Sequence, residues 1–247
     1  MYPKLFSIGF LTIYSYGAAV AVGVLCAILF LRRHAKRVNL SSETMVDLAF
    51  VTIFAGFLNA RIFYVVQFWK LYEANPVDML KIWEGGLVYY GGLIGGVIGF
   101  CVYVFRKKLN IWKLLDLFVP GLAIAQGFGR IGCFLNGCCF GKSTTLPWGV
   151  QFPFPAGPVH PVQLYESAFC FVLAILLYLI WKNRSRVGFV SFVYFAGYSV
   201  FRFFIEFLRG DNEKWWLSLT VSQWISLGIL FVCIPFLIYF LQIWKKK

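Results

Sequence analysis

Charge is what this chain has least of. Only 13% of its 247 residues are charged and ten are acidic, while 60% are hydrophobic. A water-soluble domain of this length could not hide that much apolar surface, so a soluble fold is excluded. Histidine is nearly missing: His34 and His160 are the two present. Cys133, Cys138 and Cys139 therefore have no spaced histidines to complete a standard zinc ligand set, and neither metal nor cofactor is expected. No Gly-x-Ser-x-Gly elbow occurs, which removes the serine hydrolases built on it. The paired-aspartate metal motif of alcohol phosphotransferases is missing too. Short segments of alternating polarity, the mark of a membrane β-barrel, do not occur. Internal repeats and low-complexity linkers are also lacking, which counts against a transporter made of inverted halves.

What the chain has in quantity is long apolar runs. Seven can cross a bilayer, at about 9–31, 45–69, 87–105, 112–129, 162–181, 187–208 and 219–244. Lipid offers no hydrogen bonds to a backbone, so these runs are expected to be helices in an all-α, polytopic membrane protein with a single integral membrane domain over residues 1–247. The first run lacks a basic leader and a small-residue cleavage site, so it reads as a retained span. Fourteen of the 23 Lys and Arg fall in four places that seven spans put on one face: Arg32, Arg33, Lys36 and Arg37; Arg106, Lys107, Lys108 and Lys113; Lys182, Arg184 and Arg186; and Lys245, Lys246 and Lys247. The positive-inside rule then predicts a cytoplasmic C-terminus and an outer N-terminus. The net charge of +13 reads as topology and attraction to lipid, and its scatter over short loops argues against nucleic acid as a partner.

The polar residues left over gather toward the outer face. Arg130 stands at the edge of the fourth run, and Arg202 lies inside Phe201-Arg202-Phe203-Phe204-Ile205-Glu206-Phe207-Leu208-Arg209. A guanidinium does not shed its charge, and beside hydrocarbon it needs an anion; the membrane supplies phosphate. Arg130 and Arg202 therefore read as a clamp on a phospholipid headgroup. Glu206 and Arg209, four and seven residues after Arg202, share its helical face; Glu206 can orient Arg202, while Arg209 is expected nearer water and less important. Arg61 lies toward the outer half of the second run. The third opens with Glu84-Gly85-Gly86-Leu87-Val88-Tyr89-Tyr90-Gly91-Gly92, followed by Gly95-Gly96. The later glycines read as helix packing, whereas the Tyr90 phenol can bind a ligand or sit in the interfacial aromatic belt. In His160-Pro161-Val162-Gln163-Leu164-Tyr165-Glu166, Pro161 suits a helix start, and Gln163 and Glu166 reach the level of the arginines. His160 is a proton acceptor or a cap. Cys26, Cys101, Cys170 and Cys233 read as packing residues, and a disulfide from Cys133 to Cys138 or Cys139 stays open.

Taken together these residues resemble bacterial prolipoprotein diacylglyceryl transferases along nearly the whole chain. The family signature Gly-Arg-x-Gly-Asn-Phe-x-Asn-x-Glu-x-x-Gly falls on residues 129–141, with Arg130, Gly132, Phe134, Asn136 and Gly141 in place. Tyr16-Gly17, Arg61, Gly91-Gly92, His160-Pro161 with Gln163-Leu164-Tyr165-Glu166, and Arg202 with Glu206 also look like the family's. Cys133 and Cys138 stand where the signature has Asn and Glu, and Tyr90 where several members have histidine. The general-base role of that histidine does not carry over. The resemblance implies transfer of the diacylglyceryl group of phosphatidylglycerol to the lipobox cysteine of a preprolipoprotein, in the bacterial inner membrane, with release of glycerol phosphate. It implies Arg130, Arg202 and Glu206 as catalytic candidates, to which the phenol of Tyr90 beside Gly91-Gly92 adds one from position alone, and Arg130, Arg202, Tyr16, Asn136, Gly141, Arg61, His160 and Gln163 as candidates for binding phosphatidylglycerol. Tyr90, His160, water and the leaving phosphate all remain open as the acceptor of the thiol proton. A membrane anion or lipid transporter, or a phospholipid-binding protein without activity, is the alternative reading.

Overall fold

The computed structural model describes residues 3–8, 11–73, 75–81, 85–153, 157–183, 186–210, 212 and 215–245. Glu84, Arg184, Lys246 and Lys247, named above, lie outside the described residues. Seven α-helices follow in order: α1 Ser15–His34, α2 Ser42–Gln67, α3 Tyr89–Arg106, α4 Ile111–Asn136, α5 Val162–Lys182, α6 Phe189–Ile205 and α7 Val221–Lys245. All seven are long and apolar enough to cross a membrane. The shortest, α6, has 17 residues, a rise of roughly 26 Å at 1.5 Å per residue, close to a hydrocarbon thickness of about 30 Å. Their outer faces are apolar: Phe50, Val97, Ile175 and Phe231 are among the most exposed side chains. Such a surface suits lipid and not water.

Two span boundaries differ from the sequence reading. The first helix starts at Ser15, because an antiparallel hairpin of β1 (Lys4–Ile8) and β2 (Leu11–Tyr14) occupies the beginning of that apolar run. The fourth continues through Arg130 to Asn136, since a charge ends an apolar run but not a hydrogen-bonded helix. Gly137, at φ 77°, ends it: its N–H bonds Phe134 O at 3.1 Å and the Cys138 N–H bonds Cys133 O at 3.1 Å. That pair of bonds with a left-handed glycine is the Schellman termination.

The chain divides into two compact units. Residues 31–114 form one, dominated by α2 against α3. Gly91, Gly95 and Gly99 make a stripe at four-residue spacing whose absent Cβ atoms would fall 2.8, 2.5 and 3.0 Å from the carbonyls of Asn59, Ala55 and Val51. The glycines therefore serve backbone approach between helices, as small residues do in membranes. Residues 1–30 with 115–247 form the other unit. In it Gly23 of α1 lies against Phe128 of α4, and Gly127 of α4 against the Phe171 ring of α5. Val119 and Ala123, Leu173, Ala174 and Leu177, and Val190 and Tyr194 join α4, α5 and α6 in one buried core. Asp116 of α4 caps α6: it accepts from Gly188 N at 2.5 Å, Ser191 N at 2.8 Å and Ser191 Oγ at 2.6 Å. Phe192 and Ala196 of α6 meet Cys233 of α7. The segment between α4 and α5 carries the two-residue strands β3 (Val150–Gln151) and β4 (Pro158–Val159), which pair antiparallel.

Candidate active site

In the second unit the end of α4, the start of α5, the end of α6 and the start of α7 supply one cluster of charges. Glu166 of α5 is its centre and is 1% exposed. Its carboxylate contacts Arg130 Nε, takes Arg202 Nη1 at 2.5 Å and lies 3.8 Å from Arg209 Nη1. Glu206 is the second buried acid. It meets Arg202 Nη2 at 2.9 Å and Arg209 Nε at 3.8 Å, and accepts from Asn212 Nδ2 at 2.6 Å and Thr220 Oγ1 at 2.8 Å. Arg202 Nη2 also reaches Ser222 Oγ at 3.3 Å. The second oxygens of Glu166 and Glu206 face their arginines as charges, without hydrogen-bond alignment. Three guanidinium groups against two carboxylates leave one net positive charge, which suits one phosphodiester anion.

Local sequence explains why these side chains converge. Arg202 and Glu206 are one turn apart, and the helix tightens into a 3₁₀ turn at Glu206–Leu208 before Arg209 becomes extended. Thr220 and Gln223 form a capping box at α7: Gln223 N donates to Thr220 Oγ1 at 3.3 Å and Thr220 N to Gln223 Oε1 at 3.0 Å. The capped Thr220 is thus held where its hydroxyl reaches Glu206. Gly141 closes the loop side. Its N–H donates to His160 O at 2.9 Å, it bridges to Arg209, and Lys142 N donates to Leu208 O at 2.8 Å. A Cβ there would lie 2.6 Å from Val162 Cγ2 and 2.7 Å from Leu208 O, so only glycine fits the seam.

The other sequence candidates fall as follows. Gln163 is fully buried and its Nε2 donates to Cys138 O at 2.6 Å, tying the loop after α4 to α5. Gln163 Oε1 and His160 Nδ1 are buried with no hydrogen-bond partner among the described residues. Tyr16 packs at α1 beside Gly132, whose added Cβ would meet its ring at 3.1 Å. Asn136 is the last residue of α4. The thiols of Cys133 and Cys139, and then the Asn136 side chain, hydrogen-bond Cys138 and hold its thiol well below the ordinary value despite burial. Tyr90 is half exposed in the first turn of α3, in the other unit. Arg61 is also in that unit, where it ties a loop together. Its Nε donates to Met79 O, Nη1 to Gly85 O and Gly86 O, and Nη2 to Asp78 O and Lys81 O, at 2.7–3.3 Å. All five donors are spent on the loop between α2 and α3.

The structure also corrects the placing of Arg209. It is 8% exposed and paired with both acids, so it is a buried member of the cluster and not an interfacial arginine. Glu166 is the residue the sequence reading undervalued. Its signal was its position one turn after Gln163 at the level of the arginines, which did not reveal that three of them would share it. Thr220 was readable from the Thr-x-x-Gln capping pattern.

The model of the family described as prolipoprotein diacylglyceryl transferase matches residues 3–239. The chain belongs to the prolipoprotein diacylglyceryl transferase family. A relative from Clostridium tetani named phosphatidylglycerol–prolipoprotein diacylglyceryl transferase is 41% identical over 94% of this chain and 95% of its own length. One from Clostridium perfringens, whose name carries the suffix 2, is 41% identical over 89% and 88%. A Staphylococcus aureus relative with the first of these names is 34% identical over 96% and 88%. The matched stretch, residues 3–239, takes in the first six helices, most of α7 and the whole charge cluster.

Proposed function

We infer that this chain is the diacylglyceryl transferase its family membership implies, acting on phosphatidylglycerol and prolipoprotein in a membrane it crosses several times. The observation that supports the chemistry is the buried cluster of Arg130, Arg202 and Arg209 on Glu166 and Glu206. The substrate thiol is the nucleophile, so the enzyme needs none of its own. Sulfur attacks the glyceryl carbon that bears the phosphate; the S–C bond forms, the C–O bond breaks, and glycerol phosphate departs with the electron pair. Negative charge grows on the phosphate oxygens as the diester becomes a monoester. Guanidinium groups fixed there hold the transition state more tightly than the bound lipid. Of the three, Arg130 has the most exposed side chain, at 24% against 14% for Arg202 and 6% for Arg209. We assign Arg130 the first contact with the phosphate and Arg202 the developing charge, with both acids fixing the guanidinium planes.

His160 is our candidate for the thiol proton, because its ring carries a buried nitrogen with no partner among the described residues. The acceptor cysteine is that of a lipobox, and the protein sits in the bacterial inner membrane with its N-terminus outside and its C-terminus in the cytoplasm. Single-cysteine labelling at position 145 tests the orientation; reaction from the cytoplasmic side alone would reverse it. The experiment for the activity is purified protein with phosphatidylglycerol and a lipobox peptide. A thioether-linked diacylglyceryl adduct with one glycerol phosphate released per adduct is expected. Unmodified peptide with intact lipid would overturn the assignment.

A further inference from the structure

The Schellman turn that ends α4 has a chemical consequence. This termination brings the third residue from the helix end against the second residue beyond it, a contact usually made by two apolar side chains. Here those residues are Cys133 and Cys138. Cys139 follows with a left-handed backbone, φ 63°, unusual for a residue with a side chain, and its sulfur stands 3.6 Å from that of Cys138. All three sulfurs lie within 4.8 Å of one another. The other four cysteines, Cys26, Cys101, Cys170 and Cys233, are set within the helices.

We propose that Cys133, Cys138 and Cys139 form a binding site for one soft, thiophilic d¹⁰ cation of the zinc and cadmium class. A zinc–sulfur bond is about 2.3 Å, which sets three sulfurs on one ion about 3.8–4.0 Å apart. One pair already stands at 3.6 Å and the others are within 4.8 Å, so side-chain rotation closes the set without moving the capped backbone. Thiolate ligands select such ions over magnesium or calcium. Three thiolates on a divalent ion carry one net negative charge, and the cationic Arg130 stands one turn before Cys133 on α4. A solvent molecule completes four-coordination, and the thiol protons are released as the ion binds. The sequence pattern hid this site because the expected histidines are missing; a turn, not a ligand motif, assembles it. The ion is a ligand of the loop and takes no part in the transfer step, so the proposal stands apart from the functional assignment.

The test uses full-length protein in detergent, reduced and stripped with EDTA, titrated with Cd²⁺. The readouts are the ultraviolet thiolate-to-cadmium band, metal per chain and protons released. One ion per chain is expected, removable by EDTA. Cys133→Ser, Cys138→Ser and Cys139→Ser should each weaken binding at least tenfold. A variant with serine at Cys26, Cys101, Cys170 and Cys233 should keep the band. Transfer to a lipobox peptide by the loop variants, before metal is added, shows that they are folded. A band that survives Cys138→Ser overturns the site. So does its absence from wild-type protein whose seven thiols all titrate as free.

Discussion

Glu166→Gln is the substitution that bears hardest on this arrangement. It keeps the size of the side chain and removes one charge from a group that is 1% exposed and meets three arginines. Arg202 and Arg209 would still hold Glu206, whereas Arg130 has no second ion pair to an acid among the described residues. Removing one partner of a buried pair costs about 3–5 kcal/mol. At about 1.4 kcal/mol per decade, the lower bound alone is roughly a hundredfold in rate if it falls on the transition state. The net charge of the cluster rises, so lipid still binds, and the loss should lie in kcat and not in KM for phosphatidylglycerol. Glu166→Asp, which keeps the charge but retracts it, should recover part of the rate. Adding Arg130→Gln to Glu166→Gln should cost less than the product of the two single losses, because the Arg130–Glu166 contact is common to both. The assay is initial transfer rate to a lipobox peptide at matched protein level, with thermal unfolding in detergent run alongside. If Glu166→Gln kept a third of the wild-type rate, or the two substitutions multiplied in full, the reasoning would fail.

Arg209→Ala should lower the transfer rate more than tenfold, since the residue is buried on both acids and is not one of the exposed pairs worth about 0–1 kcal/mol; an effect under twofold would return it to the interface. Gly141→Ala should destabilise the protein by about 1–3 kcal/mol, read as a lower unfolding temperature, because the methyl group has no room between Val162 and Leu208; an unchanged temperature would mean the seam yields. Thr220→Val removes a helix cap and a donor to Glu206, and about 1–2 kcal/mol of stability with it; Thr220→Ser should restore most of that in the same unfolding experiment.

The number and type of the spans were legible because lipid forces a backbone to close its own hydrogen bonds, and an apolar run longer than a hydrocarbon layer has few other fates. The boundaries were less so. Hydropathy ended the fourth span before Arg130, although the helix runs two turns further, until Gly137 supplies the left-handed turn. The glycine stripe on α3 could be read from its four-residue spacing. Arg202 with Glu206 was readable for the same reason, since helical neighbours are local in sequence. Glu166 bonded to Arg130 and Arg202 was not, because that contact joins residues 36 positions apart on different helices, and no periodicity records it. Arg61 is a further long-range case. An arginine near a membrane edge suggests a phosphate, yet its five donors find carbonyls on its own loop.

The claim at the centre is that Arg130 and Arg202 hold one headgroup phosphate through the reaction. Lysine at either position keeps the charge and loses the planar fork on which the contacts with Glu166 depend. The measurement is the initial rate of thioether formation by Arg130→Lys and Arg202→Lys at saturating phosphatidylglycerol and matched protein level. Losing a preorganised donor of this kind costs about 3–4 kcal/mol, so each variant should fall roughly a hundred- to a thousandfold. A rate within threefold of wild type for either one would contradict the account.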